Sequence, residues 1–442
     1  MILVDTALEA RERAGKPLKI GLVGAGFSGR NIAHQLVTSV PAIRLVAICN
    51  RTISTALDAY ASAGVAAVHL STPAALDAAI RQNQAVVTDD PAVLCQAEEV
   101  DAIIETTGTI DFGAAVVLEA VRGGKHVILV NVELDATLGP ILKTYADRAG
   151  VIYTNCDGDE PGVAMNMLRF VKGIGLEPVV TGNLKGLYDR YRTPTTQRAF
   201  AEAAGQKAKA VTSFADGTKL SFELTVLANA TGFGVGKRGM YGPELTHVRE
   251  GSDFYLDKLT PGGMVDFMLG ASPANGAFVI ARTEDPTKAK YLKYLKMGDG
   301  PLYTFWTPFH LPQLEVPITV ARAVLFGDAT VTPMAAPVCD SIAVAKRDLK
   351  PGDVLDGFGG YACYALIENY RVSRREDFLP MGVSEGCRVV TSVPKDAPVR
   401  YSDVELPPDR LCDRLRQEQD VRFSSDPSAP QPSPDQSARR DE

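Results

Sequence analysis

Lys19-Ile20-Gly21-Leu22-Val23 is an apolar run followed at once by Gly24-Ala25-Gly26-Phe27-Ser28-Gly29 and a helical pattern through Leu36. No other feature constrains the chain as much. The first glycine permits a tight turn, the second lets backbone approach a pyrophosphate, and the third lets the helix pack closely on the strand. The helix N-terminus adds free N–H groups and a partial positive charge. A strand, this loop and a helix in that order predict a dinucleotide cradle formed by Gly24, Gly26, Phe27, Ser28 and Gly29.

The segments that follow extend the cradle into a domain. Strand-like runs recur at 45–49, 85–88, 101–105, 126–130 and 151–154, with helical segments between, notably 112–122 and 138–149. Continuous β-rich runs alternating with helices predict a parallel sheet covered on both faces. The expected fold class is α/β: a doubly wound Rossmann domain over residues 1–155. Residues 156–330 mix helices (163–172, 195–205) with extended stretches (178–184, 277–281) and read as an α+β catalytic or dimerisation domain. Short strands with Pro-Gly turns predict a small β-rich module over 331–405. Residues 406–442 read as a tail, ending in a Pro, Ser and charge-rich stretch that buries too little apolar surface to order itself. A length of 442 residues suits two or three such domains.

The second strand bears on the choice of dinucleotide. An acid near its end would bond a ribose 2′-hydroxyl; here the strand ends Cys49-Asn50-Arg51-Thr52. Asn50 suits a ribose edge and Arg51 a 2′-phosphate, so NADPH is the expected cofactor. Thr106, Thr107 and Gly108, after the fourth strand, and Asn131, after the fifth, fall at the nicotinamide side of the crevice.

Composition excludes several partners. A net charge of −7 argues against nucleic acid and anionic membranes. No apolar run approaches the ~20 residues needed to span a bilayer, and no basic region precedes an apolar stretch at the N-terminus. The seven cysteines are scattered with no CxxC pair, which fits a reducing, cytoplasmic setting.

Polar density points to the chemistry. Cys156-Asp157-Gly158-Asp159-Glu160-Pro161-Gly162 places three carboxylates in four residues directly after the last strand of the first domain. Such a group repels itself unless a divalent metal, a lysine or water is present. Asp157, Asp159 and Glu160 are thus candidate ligands for Mg or Mn. Thr181-Gly182-Asn183-Leu184-Lys185-Gly186 leaves Lys185 little shielded at a strand end, suited to a general acid or electrostatic stabiliser. Arg190, Arg192 and Lys207 form a candidate clamp for a phosphate or carboxylate. Alternation in Lys219-Leu220-Ser221-Phe222-Glu223-Leu224 reads as a strand with Lys219, Ser221 and Glu223 on one face. The catalytic candidates are Lys185, Asp157, Glu160, Lys219 and Glu223. His310 reads as a structural histidine or part of a lid.

Taken together, GLVGAGFSG, VNVELD, NCDGDEPGVAMN, GNLKGLYDRYRTPTTQ, TSFADGTKLSFE, ANATG, GPLYTFWTPFHL and AKRDLKPGDVLDGFGGY resemble the DXR-like oxidoreductases, related to homoserine dehydrogenase, with a C-terminal SAF module. That resemblance implies NADPH-dependent conversion of 1-deoxy-D-xylulose 5-phosphate to 2-C-methyl-D-erythritol 4-phosphate in isoprenoid synthesis. It also implies a phosphorylated small-molecule substrate, and class alone suggests a homodimer. Two other readings stand beside it: a homoserine-dehydrogenase-like dehydrogenase of another small hydroxy substrate, and a non-catalytic NADP-sensing protein.

Overall fold

A computed structural model describes residues 4–424. Its first part alternates strand and helix: α1 (Val4–Arg13), β1 (Leu18–Val23), α2 (Phe27–Thr38), β2 (Ile43–Cys49), α3 (Ile53–Ser62), β3 (Ala67–His69), α4 (Pro73–Arg81), β4 (Ala85–Thr88), α5 (Pro91–Gln96), β5 (Ala102–Glu105), α6 (Asp111–Arg122), β6 (His126–Leu129), α7 (Val132–Ala149) and β7 (Tyr153–Asn155). The seven strands form one parallel sheet in the order β3-β4-β2-β1-β5-β6-β7. Ile20, Leu22, Ile103, Ile104, Val127 and Ile128 are fully buried, as strands covered on both faces require. β3, a three-residue edge strand, carried too little pattern to be read from the sequence. The chain runs from β1 outward through β2 on one side and crosses from β4 to β5 on the other. That reversal opens a crevice at the strands' carboxyl ends.

The chain continues through α8 (Glu160–Gly173), β8 (Glu177–Lys185), α9 (Pro194–Ala203), α10 (Ala208–Ala215), α11 (Thr218–Thr231), α12 (Gly251–Phe254), β9 (Met264–Leu269), β10 (Ala277–Arg282), α13 (Pro286–Tyr294), β11 (Leu302–Thr307) and α14 (Pro312–Phe326). Its strands make a mixed sheet in the order β11-β10-β8-β9, with β8 and β9 parallel and β10 antiparallel to both its neighbours. α8 and α11 pack on one face through Leu168, Leu220, Leu224 and Leu227 against Val265, Phe267 and Val279.

The strand expected at 219–224 is a helix. α11 runs between left-handed Gly217 (φ 84°) and Gly232 (φ 79°) and is buried around nearly its whole circumference. A helix enclosed on all sides carries no single apolar stripe, so its alternating stretch imitated a strand.

The C-terminal part pairs β12 (Cys339–Ala345) with β13 (Cys363–Asn369) and adds α15 (Tyr370–Arg375) and α16 (Leu411–Arg422). The expected tail is partly folded: α16 buries Cys412, Leu415, Arg416 and Gln419, and Arg416 donates to Asp340 and to the Thr137 carbonyl. The Pro- and Ser-rich end at 425–442 lies outside the described residues. Among the described residues no helix is long and apolar enough to cross a membrane, and all seven cysteines are buried and free.

Candidate active site

The glycine loop lies at the carboxyl ends of β1, β2 and β5. Gly24 has φ +102°, and a Cβ on Gly29 would stand 2.0 Å from the Gly24 carbonyl oxygen, so the helix can close on the loop only without one. Gly26 faces open space at the N-cap of α2. Backbone exposed at a helix N-terminus is the fit a pyrophosphate needs. Thr106 Oγ1 clasps the loop by donating to the carbonyls of Val23 (3.2 Å) and Gly24 (3.1 Å).

Beside the loop is a cavity of about 470 Å³ lined by Gly24, Gly26, Asn50, Arg51, Thr52, Asp89, Thr106, Thr107, Phe112 and Lys207, among others. Arg51 is exposed there. Two neighbours behave differently from expectation. Asn50 accepts from Ala25 N–H (3.0 Å) and donates to the Thr52 carbonyl (2.9 Å), bracing the loop rather than presenting its amide to a ribose. Asn131 is fully buried, caps α7, and spends both amide hydrogens on Glu105 and Thr109 (2.9 Å each). It positions the floor and has no hydrogen left for a nicotinamide. Thr107 donates through both N–H and hydroxyl to Glu105, whose carboxyl burial pushes upward. Gly108 (φ +64°) makes the turn above it. Ser28, one residue beyond Phe27, meets Gln313 from the start of α14 at 3.5 Å.

Further along the same sheet edge, past β6 and β7, five elements converge. Lys185 Nζ at the end of β8 lies 3.2 Å from Glu160 Oε1 and 3.6 Å from Glu223 Oε2. Glu160 opens α8; Glu223 comes from α11. One turn before Glu223, Lys219 reaches Glu133 at 3.3 Å. Asn183, two residues before Lys185 on the same strand face, donates to Glu223 (2.7 Å), and its own Oδ1 is buried without a partner among the described residues. His310 Nε2 stands 3.6 Å from Glu160, with Nδ1 likewise unpartnered.

Four carboxylates (Glu133, Asp159, Glu160, Glu223) thus share two ammonium groups. Burial, and the neighbouring Glu160, raise the Asp159 carboxyl to about 7. Burial would raise Glu160 as well, but Lys185 and His310 hold it down at about 2. Glu223 is pushed up by burial and by Glu160. Against the burial that disfavours their charge, Lys185 and Lys219 are held protonated by these acids.

Oxygens of Asp159, Glu160 and Glu223 lie within 4.8 Å of one another. This set replaces the expected Asp157, Asp159 and Glu160. Asp157 instead turns away and is consumed by Arg322 (2.9 Å), Asn166, Thr319 and Thr330. That removes it from the catalytic candidates as well, because every lone pair it offers is engaged in holding α8, α14 and the 328–331 turn together.

The expected anion clamp does not assemble either. Arg190 donates to the Tyr188 hydroxyl (3.0 Å) and stacks on Tyr188 and Tyr364. Arg192 pairs with Asp189 (3.0 Å). Lys207 lines the cradle's cavity. The sequence reading missed Glu133 and Asn183 as members of the cluster. Asn183 was legible from the period of two that sets it on the face of Lys185; Glu133 followed only from topology.

Residues 18–129 match the GFO/IDH/MocA oxidoreductase family with its NAD-binding Rossmann fold. Residues 158–316 match the catalytic domain of oxidoreductase DRL. A search of curated proteins gave no match. Among solved structures, a probable dehydrogenase from Thermotoga maritima is 14% identical over 72% of this chain and 91% of its own (TM-score 0.40). A putative myo-inositol dehydrogenase from Sinorhizobium meliloti 1021 is 11% identical over 70% and 90% (TM-score 0.39). For biliverdin reductase from Synechocystis sp. PCC 6803, in complex with biliverdin and NADP+, the figures are 16%, 39% and 48% (TM-score 0.27), so this chain spans about half of that protein's length.

These findings correct the family resemblance drawn from the sequence. The matched models are GFO/IDH/MocA over residues 18–129 and the DRL catalytic domain over 158–316, in place of the family expected. Neither matched stretch passes residue 316, and the SAF resemblance has no support. Both matched models are of oxidoreductases, and the one over residues 18–129 carries an NAD-binding Rossmann fold.

Proposed function

We propose that this protein is an NADP-dependent dehydrogenase of a small hydroxylated substrate, interconverting a secondary alcohol and its carbonyl with the carbon skeleton unchanged. One observation carries the reading: the Lys185–Glu160–Glu223 cluster stands on the same sheet edge as the glycine cradle. A dinucleotide running along that edge from Arg51 toward β6 carries its nicotinamide toward this cluster.

When bound, the nicotinamide supplies or takes the hydride. The chain's own residues handle the proton. Lys185 Nζ, kept protonated by its two carboxylates, donates to the oxygen that gains charge as the carbonyl is reduced. Glu160, held ionised, fixes the direction of that ammonium. Asp159 carries a proton near neutral pH and restores the one Lys185 gives up. Arg51 recognises the 2′-phosphate.

The Asp159, Glu160 and Glu223 oxygens are a donor set of the kind a divalent cation takes. Lys185 already pairs with two of the three, so the proposed chemistry runs on the ammonium and needs no added metal. The three expected substrate cations do not converge, and the reading requires no phosphorylated substrate.

The experiment is a panel of polyols, hydroxy acids and their carbonyl counterparts, assayed with NADP(H) and NAD(H), with EDTA or with Mg²⁺, and with the product's skeleton determined by NMR. The expected result is NADP(H)-dependent turnover of at least one member, insensitive to EDTA, with an unrearranged product. A rearranged skeleton, or dinucleotide binding with no turnover of any member, overturns it.

A further inference from the structure

We propose that Lys207, supplied by the segment that follows the catalytic strand, closes the dinucleotide's pyrophosphate from the side opposite the glycine loop. The proposal rests on the dinucleotide reading above and adds a phosphate contact from outside the Rossmann strands and helices.

Lys207 is the N-cap residue of α10, exposed, and among the described residues no salt bridge or hydrogen bond engages its ammonium. Yet it lines the same cavity as Gly24, Gly26 and Arg51. An ammonium left unpaired over a phosphate cradle, in a chain of net charge −7, is what an anion subsite requires.

Its place on the cavity follows from what holds its segment. Lys209 pairs with Glu385 at 3.2 Å, and Gly359 (φ +66°) comes so close that a Cβ there would lie 2.0 Å from the Lys209 carbonyl oxygen. The same C-terminal region presses Gly382 against Ile110 and Thr137, where a Cβ would meet Thr137 Oγ1 at 2.0 Å. Ile110 immediately precedes α6, beside cavity residues Thr109 and Phe112. Lys207 therefore enters from the β5–α6 side, whereas Arg51 stands at the end of β2, on the other side of the glycine loop. The pyrophosphate sits at that loop and the 2′-phosphate beyond the end of β2. Geometry thus divides the two cations: Arg51 to the 2′-phosphate, Lys207 to the pyrophosphate.

The C-terminal region acquires a purpose from this. Besides Lys209–Glu385, it holds the 190–210 segment through Thr195–Tyr361 (2.8 Å), and Lys346 bonds to the Arg192 carbonyl and to Asp216 (2.8 Å each). It braces the clamp against the cradle.

The test titrates NADPH, NADH and ADP-ribose, by fluorescence or calorimetry, into the full-length protein and its Lys207→Met and Arg51→Met variants. All three ligands carry a pyrophosphate; only NADPH carries the 2′-phosphate. Lys207→Met is expected to weaken all three by about tenfold, while Arg51→Met weakens NADPH alone. Unchanged binding by Lys207→Met overturns the proposal, and so does a loss confined to NADPH. Failure of the wild-type protein to bind any of the three would sink the dinucleotide reading itself, a separate outcome.

Discussion

Lys185 Nζ lies 3.2 Å from Glu160 Oε1, joining the last residue of β8 to the first residue of α8, with Glu160 nearly closed to solvent and Lys185 partly buried. Positioned general acids contribute roughly 10² to 10⁴ in rate. Lys185→Met should therefore lower kcat by at least about a hundredfold and leave the NADPH dissociation constant unchanged. Steady-state kinetics beside a fluorescence titration reads both. Retained turnover would remove the lysine from the chemistry.

Asp159 gives the activity and the stability a pH signature. Its folded carboxyl, raised from 3.8 to about 7, holds a proton that the unfolded chain has released across that window. The unfolded state then binds fewer protons than the native state, so this group's contribution to stability falls as pH rises from about 4 to 7. Asp135 and Asp266, each raised to about 6 by burial, act in the same direction. Glu160, lowered to about 2, contributes stability above its ordinary range that is lost as pH falls toward 2. Asp159→Asn should gain in melting temperature relative to wild type between pH 5 and 8. It should also lose the inflection near 7 in the kcat/KM profile. Parallel wild-type and variant curves would refute both.

Gly26 and Gly29 should fail in different ways. A methyl on Gly26 meets nothing, whereas one on Gly29 overlaps the Gly24 carbonyl. Gly26→Ala is expected to melt within about 1 °C of wild type, a surface-like effect, while losing NADPH affinity because the methyl occupies the phosphate's space. Gly29→Ala should lose both. Calorimetry with and without ligand separates them.

Arg51 should decide between the two dinucleotides. Arg51→Glu is expected to reverse preference, weakening NADPH at least about tenfold while leaving NADH within about a factor of two. Equal effects on both would mean that Arg51 does not touch the 2′-phosphate.

Arg416 ties the C-terminal helix to the body through Asp340; both are almost fully buried. Removing one member of such a pair strands the other's charge, at a cost of about 3–5 kcal/mol. Arg416→Ala should show that loss in urea unfolding. A loss below about 1 kcal/mol would mean that α16 docks without the pair.

The cradle was legible in the sequence because its requirements are local: glycine spacing, a strand before it and a helix after it lie within twenty residues. The parallel sheet was legible for a similar reason, since strands buried on both faces must be continuously apolar. α11 was not, because a helix enclosed on all sides has no stripe to reveal its period. Asp157 and Asp159 are indistinguishable by type and spacing, yet one is consumed by Arg322 and the other joins Glu160 and Glu223.

By itself, then, the amino-acid order determined that a dinucleotide cradle opens the chain and that Lys185 and a carboxylate-rich loop follow it. Only the tertiary structure decided the partners: which acids meet Lys185, that Lys219 belongs to Glu133, and that Lys207 belongs to the cradle. Backbone conformation answers to neighbours along the chain. The electrostatics of a buried site answer to distance in space, which five elements, far apart in sequence, set together.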